Sequence, residues 1–108
     1  LEPTSTSGVP LTLDKDTLAM KKLPFCVYIP KSQKDGLLYI GFTTDIRRRL
    51  TEHMNGQSDA TAPRRPFELI YCEYHASKDD ALRREGYFKT SSGKKALRLM
   101  LREALVNS

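Results

Sequence analysis

Glu85 stands on the wrong side of its helix. The segment from Ser77 to Lys89 reads as helical, and at ~100° per residue Ala81, Leu82 and Phe88 share about a third of the wheel, with Glu85 between them. An ionised carboxylate on a core-facing stripe is costly unless it meets a cation, a hydrogen-bond donor or a metal. Upstream, Tyr28 and Tyr39 stand in two β-prone stretches. Arg49 and His53, four apart on a second helical pattern, project together beside the stripe of Ile46 and Leu50. A phenol able to take a proton, cations for phosphate and a carboxylate for a divalent metal are the parts phosphodiester hydrolysis requires. Each residue alone has a plainer reading. Arg49 can snorkel over the core, His53 can cap a helix end, and the tyrosines can be ordinary strand aromatics. Gathered on one sheet face, the set is less ordinary.

The elements that must gather them can be read from periodicity. From Phe25 the pattern has period 2: Phe25, Val27 and Ile29 alternate with Cys26 and Tyr28, and Leu38, Ile40 and Phe42 with Leu37, Tyr39 and Gly41. The polar connection from Pro30 ends in Asp35-Gly36, a turn signal, so a hairpin is expected. A helix follows, capped by Thr44 or Asp45, with Ile46, Leu50 and Met54 as its buried stripe and Asn55-Gly56 as its end. Gln57 to Pro66 reads as a basic loop carrying Arg64 and Arg65, and Phe67 to Tyr74 as a third strand. Ser77 and Asp80 form a capping-box pattern ahead of the Glu85 helix. Beyond Ser91-Ser92-Gly93 a last helix carries Ala96, Leu97, Met100, Leu101, Ala104 and Leu105 on one face. The expected order is β-β-α-β-α-α, an α+β domain over residues 23–108 with a three-stranded antiparallel sheet. Residues 1–22 show no sustained period and read as an extension, mobile or packed as an accessory arm.

Composition narrows the class. With 108 residues there is room for one small core. The 39% hydrophobic and 29% charged residues are those of a globular chain rather than a disordered one. No apolar run approaches the ~18 residues of a membrane span. Cys26 and Cys72 lack metal-ligand spacing and read as reduced core residues, so a cytoplasmic location is expected. The formal charge of +5 favours a polyanionic partner, weakly. Ser91-Ser92-Gly93-Lys94-Lys95 lacks the first glycine and the preceding strand of a phosphate-binding loop, so it reads as a helix start.

Val27-Tyr28, Tyr39-Ile40-Gly41, Arg49, His53 and Glu85, in that order and spacing, resemble the GIY-YIG nuclease superfamily. The resemblance runs from about Phe25 to Leu101 and takes in Thr43 to His53, Arg64 to Tyr71 and Ala81 to Glu85. It is nearest to small stand-alone bacterial members related to the nuclease domain of the excision-repair protein UvrC. Two departures stand out. Cys26 replaces the first glycine of the motif, and Phe42 stands where the UvrC type carries lysine. The resemblance implies a metal-dependent endonuclease acting on DNA in repair or processing, with RNA not excluded. Tyr39 would accept a proton from the attacking water, Tyr28 would orient the site, and Arg49 would neutralise the phosphate. His53 would support proton transfer or hold a tyrosine, and Glu85 would bind one Mg²⁺ or Mn²⁺. A phenol of pKa about 10 is a poor base at neutral pH, so nearby cations must help it. Gly41, Arg47, Arg64, Arg65 and Lys89 are the candidate substrate contacts. The competing expectations are a nucleic-acid-binding module of this fold without turnover, and a protein-interaction domain.

Overall fold

A computed structural model describes residues 22–58 and 61–107, so the extension expected over 1–22 lies, apart from Lys22, outside the described residues. Strand β1 (Phe25–Ser32) is flanked by β2 (Gly41–Thr43) and β3 (Phe67–His75) in an antiparallel sheet of order β2-β1-β3. The helices are α1 (Ile46–Met54), α2 (Lys78–Phe88), α3 (Ser91–Met100) and α4 (Arg102–Asn107), with a 3-10 turn at Ala62–Arg64. The α+β class and the three-stranded antiparallel sheet are as expected from the sequence.

The central strand is buried on both faces, which is why Phe25 to Ile29 are apolar without a break. Val27 and Ile29 face α2, α3 and α4 in a core completed by Ile40, Ala81, Phe88, Leu97 and Leu101. Tyr28 points to the other face, which α1 covers. Strand β1 runs two residues past Pro30, where the polar connection was expected to begin. A proline has no N–H for the ladder and is tolerated in a sheet at an irregularity. The register of β1 on β3 shifts between Ile29 and Pro30, and the Pro30 carbonyl accepts from the Tyr39 N–H at 2.9 Å.

That bond matters for Tyr39. The second strand, expected from Leu37 to Phe42, contracts to Gly41–Thr43 plus a lone bridge between Leu38 and Lys31. Tyr39 therefore sits in the approach to β2 rather than within its ladder. The turn before it carries Gly36 at φ 73°, and Asp35 accepts from the Leu37 N–H at 2.9 Å.

Two helical stripes also differ from expectation. Met54 is 68% exposed, because α1 is rotated so that His53 is its buried residue. Leu82 is 39% exposed, while Ala81 and Phe88 anchor α2 in the core. The last helix is broken at Leu101, and Met100 faces solvent. Local signals fared well at the helix starts. Asp45 caps α1 through the Arg48 N–H, and the Ser77 hydroxyl accepts from the Asp80 N–H. The Asp80 carboxylate pairs with Arg83 instead of closing the capping box.

Candidate active site

On the α1 face of the sheet, Tyr28 is fully buried, and the space it fills comes from its cross-strand neighbour. Gly41 pairs with Tyr28, and a Cβ there would lie 2.5 Å from the Tyr28 ring. The glycine is a packing requirement of the phenol. The Tyr28 hydroxyl and His53 Nε2 are 2.8 Å apart, and His53 Nδ1 lies 2.6 Å from Thr61 Oγ1. Both ring nitrogens are engaged, so the buried imidazole is satisfied in either neutral tautomer. Burial, aided by the Arg49 charge, lowers the His53 pKa below its ordinary 6.5, which keeps it neutral.

Tyr39 reaches the same cluster from the other side. Its ring centroid is 5.3 Å from that of His53, edge to face, and 6.4 Å from that of Tyr28. Unlike Tyr28 it is only partly buried, so of the two phenols it is the one solvent can approach. The Arg49 guanidinium, from the turn of α1 before His53, favours the ionised phenol of Tyr28 and pulls its pKa down. Burial outweighs this and holds the Tyr28 pKa above its ordinary 10.0, with the Tyr39 and Glu85 charges adding to the rise. Arg49 also donates to Glu52 at 2.5 Å. Burial disfavours its charge, but its bonds to Tyr28 and Glu52 raise its pKa on balance. It remains a cation at every working pH.

Glu85 comes from α2, yet its charge is felt at Tyr28. Its side chain is 19% exposed and pairs with Lys89 at 3.2 Å, one turn on. The carboxylate on the expected core stripe thus meets a cation, the ammonium of Lys89. Tyr28, Tyr39 and His53 are brought together, and the charges of Arg49 and Glu85 both act on the Tyr28 phenol.

The candidate substrate contacts are more dispersed. Lys89 is held by Glu85. Arg64 pairs with Asp35 at 3.2 Å and sits 5.7 Å from the centroid of the Phe67 ring. Arg65 donates to the carbonyls of Ala62 and Met54. Arg47 is exposed on α1, lining a shallow groove with Arg48, Thr51 and Gln57.

Three neighbours were not singled out from the sequence. Glu52 could have been, since it follows Arg49 by three and Arg48 by four, and it pairs with both. Thr61, fully buried against His53, reaches the site through an aperiodic loop that gave no such signal, and Phe67, whose ring centroid is 6.0 Å from that of His53, reaches it from the first position of β3. Among the described residues no three His, Cys, Asp or Glu side chains form a metal-binding group. Cys26 and Cys72 are free, and burial pushes the Cys26 thiol up to about 11.

The family model of the GIY-YIG catalytic domain matches residues 24–98. The chain belongs to the GIY-YIG family. Among curated relatives, a UPF0213 protein of Staphylococcus saprophyticus is 45% identical over 75 residues, 68% of this chain and 90% of that one. A UPF0213 protein of Streptococcus agalactiae is 42% identical over 71 residues, covering 65% and 80%. A solution NMR structure of a UPF0213 protein from Bacillus halodurans is 34% identical, covers 70% of this chain and 83% of that one, and superposes with a TM-score of 0.46. Among the described residues no helix is long and apolar enough to cross a membrane.

Proposed function

We propose that this GIY-YIG chain is a metal-dependent endonuclease that hydrolyses phosphodiester bonds in DNA. What supports it is the convergence of two tyrosines, an arginine, a histidine and a glutamate from β1, the approach to β2, α1 and α2. The residues divide by exposure. Tyr39, open to solvent, takes the proton of the attacking water. Arg49 offers its guanidinium to the phosphate. Tyr28 and His53 are sealed, and act as positioning residues: their 2.8 Å bond, braced by Thr61, fixes the wall against which Tyr39 packs.

Glu85 fits one loosely held hard cation. It is a single carboxylate and His53 has no nitrogen to spare, so Glu85 would be the residue that holds one Mg²⁺ or Mn²⁺, hard cations that take oxygen ligands. Lys89 is an exposed partner that such an ion can displace from Oε2. When bound, the ion would stabilise the charge on the phosphoryl group and the leaving oxygen.

The test is cleavage of labelled DNA, single-stranded, flapped, branched and damaged, by purified protein with and without Mn²⁺, with the same panel in RNA to read the sugar. Tyr39→Phe is expected to cut turnover by ~10²–10⁴-fold, and Glu85→Ala to abolish the Mn²⁺-supported turnover. Unchanged cleavage by both variants would overturn the reading. Binding without turnover by the wild type would identify a nucleic-acid-binding module of the same fold.

A further inference from the structure

We propose that the groove beside His53 is a subsite for one unstacked nucleobase, resting on the nuclease reading and deepening it to a preference for strands with unpaired nucleotides. The groove has a volume of about 460 Å³ and is lined by Met54, Ala62, Pro63, Arg65, Pro66 and Phe67, within the ~300–1,000 Å³ of small-molecule sites. Five of these residues are apolar and one is a cation.

Its position ties it to the site. Met54 follows His53 on α1, and the Phe67 and His53 ring centroids are 6.0 Å apart, so the groove opens beside the tyrosine cluster. Its construction suits a base carrying a phosphate. The partly buried Phe67 ring is steadied by the Arg64 guanidinium, 5.7 Å from its centroid. Met54, a pliable thioether, is 68% exposed at the rim. Arg65 is moored by bonds of 3.0 Å to the Ala62 carbonyl and 3.4 Å to the Met54 carbonyl. A Cβ at Gly56 would come within 2.7 Å of that guanidinium. An aromatic and apolar slot takes the face of a base, and a cation at its edge meets the adjoining phosphate. An apolar protein side chain would use the slot and leave Arg65 idle. A paired base cannot enter without leaving its stack, so duplex pays an unpairing cost that single-stranded DNA does not.

The experiment is fluorescence anisotropy with a labelled single-stranded oligonucleotide in EDTA, moving one abasic site along the strand. Removal of the base at one position is expected to weaken wild-type binding about tenfold, while its neighbours have little effect. The matching duplex is expected to bind about tenfold more weakly than the single strand. Met54→Glu, at an exposed position where folding is safe, and Phe67→Leu, which keeps most of the volume, should erase the position dependence. A uniform response along the strand, or variants that retain the wild-type pattern, would overturn the subsite. Because the measurement needs no turnover, it stands apart from the nuclease reading. Cleavage that survives Tyr39→Phe sinks the catalytic assignment and leaves the abasic pattern intact.

Discussion

His53 shows how burial converts an ordinary residue into a frame. A neutral imidazole with both nitrogens bonded holds Tyr28 from one side and Thr61 from the other. Its lowered pKa carries a sign. The unfolded chain binds a proton near pH 6.5 and the folded chain binds it only at lower pH. This contribution to stability is therefore complete above 6.5 and is lost as pH falls through the folded value. Glu52 and Glu73, whose pKa values are lowered from 4.5, add a separate loss of stability at more acid pH. Thermal melts between pH 5 and 7, a window set by the usual histidine range, are expected to show the wild type losing stability on acidification. In His53→Gln that slope should flatten, even though the variant is less stable at neutral pH. An unchanged slope would place the acid sensitivity elsewhere.

Helix α2 carries both ends of a contrast at the scale of elements. Arg84 pins it to β3 by donating Nε–H to Glu73 at 2.9 Å, with its guanidinium 4.3 Å from the centroid of the Phe88 ring. Glu73 also accepts from Tyr71 and is bonded to His75. This network lies on the face of Val27 and Ile29, opposite Tyr28, and it fixes the helix that presents Glu85. Gly86, next in the chain, has nothing within 4 Å of a would-be Cβ. Gly86→Ala is therefore expected to stabilise the fold by roughly 0.5–1 kcal/mol, seen as a rise in Tm. Gly93 is the reverse case. A Cβ there would fall 1.8 Å from the Tyr87 carbonyl oxygen, where α2 turns into α3. Gly93→Ala should cost about 1–3 kcal/mol or more in denaturant melts. Equal effects from the two would contradict this account of the junction.

For the whole molecule, charge and size set the expectation. A net +5 on 108 residues, with Arg47, Arg48 and Arg65 exposed around α1 and the loop after it, attracts a phosphate backbone by displacing its counterions. Affinity for DNA, measured by anisotropy at rising NaCl, should fall linearly on a log–log plot. The slope should become shallower in Arg47→Gln or Arg65→Gln. A salt-independent affinity would remove nucleic acid as the partner that the charge suggests.

The sequence alone determined what repeats locally. Period 2 located β1 and the approach to β2, β-propensity located β3, period 3.6 located the helices, and Ser77, Gly36 and the pair Thr44-Asp45 marked their caps and turn, because these signals act over four residues or fewer. It also supplied the chemistry of the site, since residue types and order survive folding, and Glu85 was conspicuous on its stripe before any coordinates. Tertiary structure decided which side chain of α1 turns inward, exchanging Met54 for His53. A helix's rotation answers to the sheet it covers, and the Tyr28 hydroxyl offers a buried imidazole the hydrogen bond it must have. Tertiary structure also shortened β2, broke the last helix at Leu101, and delivered Thr61 from an aperiodic loop and Phe67 from the start of β3. Those outcomes depend on contacts between segments far apart in the chain, and no local pattern encodes them.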